Sequence, residues 1–350
     1  RTRRQKRSRR TAAETISGLR YLAQQLEKSN QSIFQLEAVQ PYWLDSRTRV
    51  LIYPLALGIA VASIFSIVPS IVGFWLGGPL VALSIFVCWG LVGGSVGGFV
   101  GGWIGGVTGG LIGGGLSTMA IWLLVPRFSI GVIATPVLAI MMGFAFGACK
   151  ALITPVESFR WSWQKAGRWL VIGLGAGLLL GAPLWLMGNV EWRVVAPAIA
   201  LLFALLGGFT KRSRIDANFT RPNEGIWRTG ENALRLGFTA TVVYGVFATL
   251  IFGLNTGGGW ASLLASVPFG VIAGLLVGVL VALAGAEGSG VIWIQHWVLR
   301  LLLSRQKRIP WHYADFLDDC AERILLKKVG GGYIFVHRLL QEHFANWRPS

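Results

Sequence analysis

The sequence predicts a mainly α-helical, polytopic membrane bundle of about eight spans, inserted in a small, split, winged-helix-like α+β domain. Three observations carry that prediction. The 350 residues are 53% hydrophobic and only 13% charged, with a mean hydropathy of +0.59, which belongs to the membrane class. Between Val50 and Val125 there is no Asp, Glu, Lys or Arg, so a soluble fold would lack the polar residues to cover it. The basic residues behind the net charge of +17 sit between apolar runs instead of forming one basic domain. A soluble enzyme is thereby disfavoured, and nucleic acid is not expected as a partner. Cys88, Cys149 and Cys320 show no CxxC spacing, so neither a disulfide framework nor a zinc site follows.

Apolar stretches of about 17 to 25 residues suit the bilayer core, and they place spans at 51–76, 80–96, 99–124, 130–153, 169–187, 194–210, 236–254 and 261–284. Helix-ending clusters separate several of them: Gly77, Gly78 and Pro79; Pro126; Gly188 and Asn189; Gly257, Gly258 and Gly259. Eleven basic residues lie in 1–49, four in 150–168, six in 211–235 and nine from Arg300 onward, leaving Arg127 and Arg193 on the other side. The positive-inside rule then puts both termini in the cytoplasm. Tryptophans fit aromatic belts, with Trp75, Trp122, Trp185, Trp192 and Trp260 outside and Trp43, Trp161, Trp163, Trp227 and Trp293 inside.

Six GG pairs recur every four residues from Gly93 to Gly114. Such a small-residue stripe lets backbones approach closely and reads as a packing seam between helices or protomers, or else as low-complexity filler. WQKAGRWLVIG (163–173) aligns with WRTGENALRLG (227–237), each opening a helical hairpin, which suggests a duplication of spans five-six and seven-eight.

The flanks carry the second fold element. After a basic linker, 1–10, Thr11 and Glu14 stand at capping-box spacing, and Ile16, Leu19, Leu22, Ala23 and Leu26 recur with helical period up to Asn30. A short strand or extended segment, 32–39, precedes Pro41. At the other end, 291–303 reads as an interfacial helix containing Gln295, His296 and Arg300. Beyond Pro310, Tyr313, Phe316, Leu317, Cys320 and Ile324 share a helical face, opposite Asp315, Asp318, Asp319 and Glu322. Those acids read as a solvated face instead of a metal site. A hairpin turning at Gly330, Gly331 and Gly332 and a final helix, 337–345, complete the carboxyl half of a winged helix. The expected organisation is linker 1–10, amino-terminal half-domain 11–49, membrane bundle 50–286, connecting helix 287–309 and carboxyl half-domain 310–350.

RYLAQQLEKSNQSIFQLEAVQPYWL and YADFLDDCAERILLKKVGGGYIFVHRLLQEHFA resemble the region after the ATPase core of bacterial, cyanobacterial-type NACHT-family STAND signalling NTPases. The resemblance covers about 60 residues and is strongest in YIFVHRLLQEHFA, residues 333–345. It implies a switch in which a nucleotide-binding core is held closed over ADP by the winged helix and opens to oligomerise, and it implies that His337 contacts the nucleotide phosphate. A helix amino end favours anions, and the other reading of His337 is a polar residue closing the hairpin. No GxxxxGK[ST] is present, and GGFTKRS at 207–213 lacks the GK pair, so ADP or ATP would enter only through a nucleotide-binding domain upstream of Arg1. The expected role is a regulatory or effector module, with defence signalling as an expected setting, coupling nucleotide-dependent opening or oligomerisation to a bacterial inner or thylakoid membrane. Its expected partners are the lipid bilayer, that upstream domain and copies of itself. No catalytic constellation marks an enzyme. A small-solute transporter or channel, or a passive anchor, are the alternative readings.

Overall fold

The computed structural model describes residues 11–124, 153, 158–186, 192–212 and 223–347. Helices dominate it. α1 (Ala12–Lys28) starts with the expected capping box: Glu14 N–H donates to Thr11 Oγ1 at 3.3 Å and Thr11 N–H donates to Glu14 Oε2 at 3.1 Å. Each bond satisfies a backbone group that the helix itself leaves open. Residues 36–48 follow as short turns, and a π-helical turn at Thr48–Ile52 leads into α2 (Tyr53–Ile85). Gly78, at φ 80 and ψ −171, kinks α2 where the sequence places its first break.

α3 (Gly94–Val100) and α4 (Gly102–Leu124) divide the glycine run between them. Gly101 and Gly102 take φ 73 and 58, a left-handed conformation that turns the chain back on itself. The stripe is therefore a hairpin seam and not a continuous helix. A Cβ on Gly109 would stand 2.3 Å from the Gly93 carbonyl oxygen, and one on Gly98 would stand 2.3 Å from that of Pro54.

β1 (Ser158–Trp161) pairs antiparallel with β2 (Phe209–Arg212), Trp161 opposite Phe209. Between these strands α5 (Trp163–Leu186) and α6 (Trp192–Gly208) pack together as a hairpin. A second hairpin joins α7 (Glu224–Asn255) and α8 (Trp260–Arg305) across the expected glycine turn. The two aligned glycines occupy equivalent places. A Cβ on Gly173 would meet Ala200 Cα at 2.9 Å, and one on Gly237 would meet the Gly278 carbonyl oxygen at 2.8 Å.

Four helices among the described residues are long and apolar enough to cross a membrane: Thr48–Trp75, Gly77–Gly98, Glu224–Asn255 and Trp260–Ala286. This corrects the expected eight. α4 takes eight of its 23 residues from glycine, and the apolar stretch in α6, Ala196–Gly208, is short. The expected span 130–153 lies outside the described residues except for Ile153. On the four, Leu83, Phe238, Leu254 and Leu264 are exposed, as side chains facing lipid should be.

α8 does not run straight. Ala286 and Gly288 take φ 45 and 84, and a Cβ on Gly290 would lie 2.3 Å from the Ala282 carbonyl oxygen. Eight residues of straight helix would separate those groups by about 12 Å. The chain therefore bends sharply at the end of the span, and residues 289–305 form an arm beneath the bundle, at the place expected for a connecting helix.

The flanks come together. α9 (Tyr313–Glu322), the hairpin of β3 (Leu326–Val329) and β4 (Gly332–Phe335), and α10 (Arg338–Ala345) close on α1. Leu19, Leu22, Leu26, Phe316, Leu317 and Phe335 are buried in this unit. Gln24 Nε2 donates to the Ala345 carbonyl at 3.1 Å across 321 residues of sequence. Two expectations are corrected. Ile324 is 74% exposed, because the chain leaves α9 there with φ 63 and turns its side chain away. The expected winged helix is also not formed as such: residues 32–39 supply only one β-bridge, Phe34 with Tyr333, so the sheet has two strands and a single bridged residue where a third strand would lie.

Candidate functional site

The feature that sets this molecule apart is the polar junction between residues 36–48, the buried arm 289–305 and the adjoining ends of the spans. Glu37 is the first member. α7 begins after Asn223, which has left-handed backbone at φ 68 and gives no side-chain cap. Glu37 Oε1 instead accepts from Gly225 N–H at 2.9 Å, from 188 residues away. A carboxylate at a helix amino end satisfies an open donor and complements the helix dipole. Gln40 reads both backbone groups of one residue: Nε2 donates to the Ile153 carbonyl and Oε1 accepts from Ile153 N–H, each at 2.8 Å.

His296, fully enclosed in the arm, places Nε2 3.2 Å from the Leu36 carbonyl oxygen. Burial pushes its pKa down from 6.5 to about 4; the Leu36 bond opposes this shift and Arg300 adds to it. The ring is therefore neutral at pH 7, and Nε2 carries the proton donated to Leu36. Asp45 accepts from Thr48 N–H at 3.0 Å, and Gln306 Nε2 donates both to Asp45 and to Thr48 Oγ1, the latter at 2.8 Å. Hydrogen bonds from Thr48 hold the Asp45 carboxyl below its ordinary pKa.

Aromatic packing completes the junction. Trp43 lies between Tyr21 and Phe34, with ring centroids 5.8 and 5.6 Å away, and its carbonyl accepts from the Tyr21 hydroxyl. Trp43 is 5% exposed, so it belongs to the flank core and not to the expected inner belt. Trp227 is 57% exposed and packs edge-on against Trp297 at 6.0 Å. The Arg300 guanidinium lies 5.3 Å from the Trp297 ring centre and 5.6 Å from that of Trp311, and donates to the Trp311 carbonyl at 2.7 Å.

His337 lies apart from this junction. It is the exposed residue before α10, and its Nδ1 accepts from Leu339 N–H at 3.1 Å. In the neutral ring the proton is thus on Nε2, directed away from the helix cap. The acids of α9 have protein partners: Asp318 takes the Tyr333 hydroxyl and Lys328 Nζ, the latter at 2.7 Å, and Asp319 faces Arg323 at 3.4 Å. In GGFTKRS, Gly207 and Gly208 are packing positions, where added Cβ atoms would strike the Trp169 and Trp161 rings at 2.0 and 2.5 Å.

Sequence reasoning singled out His337 and passed over Glu37, Gln40, Asp45 and Gln306. The available signal was polar residues flanked by buried apolar ones, as in IFQLEAVQPYWL and VIWIQHWVL. Charge and amide groups in such settings need specific partners. No protein-family model, curated protein or solved structure matches this chain.

Proposed function

We propose that this chain is a membrane-embedded regulatory or effector module of a NACHT-type NTPase switch, and that the junction beneath the bundle passes the state of the flank unit to the membrane helices. The supporting observation is the position of the contacts. Residues 36–48 cap the start of α7 through Glu37, meet the arm through His296 and hold the start of the first span through Asp45, Thr48 and Gln306. Moving the flank unit therefore breaks polar bonds at three membrane helices together; those of Glu37 and His296 are buried, and each unpaired buried group costs about 1 to 3 kcal/mol. Such a junction favours discrete positions over a continuum of them.

In this reading the nucleotide belongs to a separate nucleotide-binding unit, and His337 presents Nε2–H to its phosphate beside the amino end of α10. Both flanks face the cytoplasm, following the basic asymmetry of the sequence. The test uses the protein purified from its native membrane with its nucleotide-binding unit. Replacing ADP by a non-hydrolysable ATP analogue should raise hydrogen exchange across residues 36–48, and His337→Ala should weaken ADP retention roughly tenfold, as loss of a charge-assisted hydrogen bond does. Unchanged exchange together with unchanged ADP retention would sink the proposal.

A transporter is the second reading, favoured by one observation: Gly173 and Gly237, matched in the repeated sequence, both stand close against the backbone of the partner helix in their hairpins. Duplicated hairpins are common in transporters. Solute flux into liposomes in the absence of any nucleotide would favour it.

A further inference from the structure

We propose that Arg300, Trp297, Trp311 and Trp227 form a binding site for the headgroup phosphate of an anionic phospholipid, whose acyl chain lies along α7. The argument starts from the guanidinium. Arg300 has five N–H donors, and the described residues place one bond on it, to the Trp311 carbonyl. No carboxylate among them forms an ion pair with it, whereas Arg228, Arg235, Arg323 and Arg338 each face an acid within one helical turn. Its position is fixed by two indole faces, at 5.3 and 5.6 Å, an arrangement that favours the cation and leaves its edge available.

The neighbours on the arm add donors and no acid, and the acids flanking Trp227 on α7, Glu224 and Glu231, are paired with Arg228 and Arg235. Trp293 and Trp297 lie on the same face of the arm as Arg300, at separations of three to seven residues, and their Nε1–H groups are buried with no acceptor among the described residues. A guanidinium and two indole N–H groups without an acidic partner favour an oxyanion.

The height in the membrane identifies the oxyanion's carrier. Trp227 stands in the first turn of α7 and stacks on Trp297. Leu234 and Phe238 follow at seven and eleven residues, which returns them to the same helix face, and each is 72% exposed. An exposed apolar stripe within a span therefore descends to an exposed indole and a fixed guanidinium at its inner end. An acyl chain on Leu234 and Phe238 brings its own phosphate to Arg300; a soluble phosphate would have no use for that stripe.

The experiment measures lipid retention on the intact chain in a neutral detergent by native mass spectrometry, with thermal stability as the parallel readout. Phosphatidylglycerol should be retained and should raise the melting temperature, while phosphatidylcholine of the same acyl chains and glycerol 3-phosphate should do neither. Arg300→Gln should lower retention roughly tenfold, the loss expected for one charge-assisted contact, whereas Arg168→Gln, an exposed cation elsewhere at the inner face, should leave it intact. If Arg300→Gln fails to fold, Trp227→Ala at the exposed rim should give the same loss. Equal retention of the two lipids, equal loss in Arg168→Gln, or full retention in both site variants would overturn the proposal, and stabilisation by glycerol 3-phosphate alone would reassign the site to a soluble phosphate.

Discussion

Ile324 holds a β-branched side chain at φ 63 while 74% exposed, so it carries backbone strain with little burial in return. Ile324→Gly should stabilise the protein by about 1 kcal/mol, after allowing for the greater freedom of glycine in the unfolded chain. Thermal unfolding in detergent checks this, and an unchanged or lower midpoint would mean that Ile324 packs more than its exposure indicates. His296 makes a prediction about pH. Its folded pKa, about 4, lies below the ordinary 6.5, so between these values the unfolded chain binds more protons. Stability should therefore be full above pH 6.5 and fall as pH drops toward 4, by up to roughly 3 kcal/mol. His296→Gln should remove that part of the slope; an identical profile would show that the ring is not buried neutral. Residues of this kind were only partly legible. A lone His or Glu between apolar residues announces that it needs a partner, but Leu36 is 260 positions from His296 and Gly225 is 188 from Glu37, and no local pattern names such partners.

Local patterning is more informative for elements, and its failures have physical causes. The capping box at Thr11 and Glu14, the amphipathic face of α9 and the glycine hairpin turn at Gly330 follow from side-chain chemistry within a few residues. The strands β1 and β2 have four residues each and little alternation, so they left no periodic signal. Glycine pairs repeated every four residues disclose a seam but not its fold, because nothing distinguishes Gly101 and Gly102 from the other pairs before the chain reverses there. The seam can be tested at single positions. Gly109→Leu should lower the melting temperature strongly, since its Cβ alone would stand 2.3 Å from the Gly93 carbonyl and overpacking against backbone costs about 1 to 3 kcal/mol or more. Gly115→Leu should be tolerated, because a Cβ there meets nothing within 4 Å. Equal loss at both would mean that propensity, not packing, governs α4.

At the scale of the molecule, the topology is the main result: a chain that leaves a small helical unit, builds a membrane bundle, and returns to finish the same unit. Chain entropy explains why the halves need each other, since a fragment of about 40 residues buries too little apolar surface to fold alone. The sequence suggested this reunion because the apolar faces of α1 and α9 lack local partners, whereas fewer helices among the described residues are long and apolar enough to cross a membrane than the eight apolar runs suggested. The junction depends on the reunion: without α1 seated on α10, residues 36–48 have no support from which to hold α7, the arm and the first span. The direct test places cysteines at Gln24 and Asn346, with Cys88, Cys149 and Cys320 replaced, and treats the protein in native membranes with a short thiol cross-linker. Gln24 already bonds the carbonyl of the residue before Asn346, so rapid intramolecular cross-linking is expected, abolished when α1 is disrupted by Leu22→Asp. Absence of an intramolecular cross-link in the undisrupted protein would contradict the joined flank unit and the switch built on it.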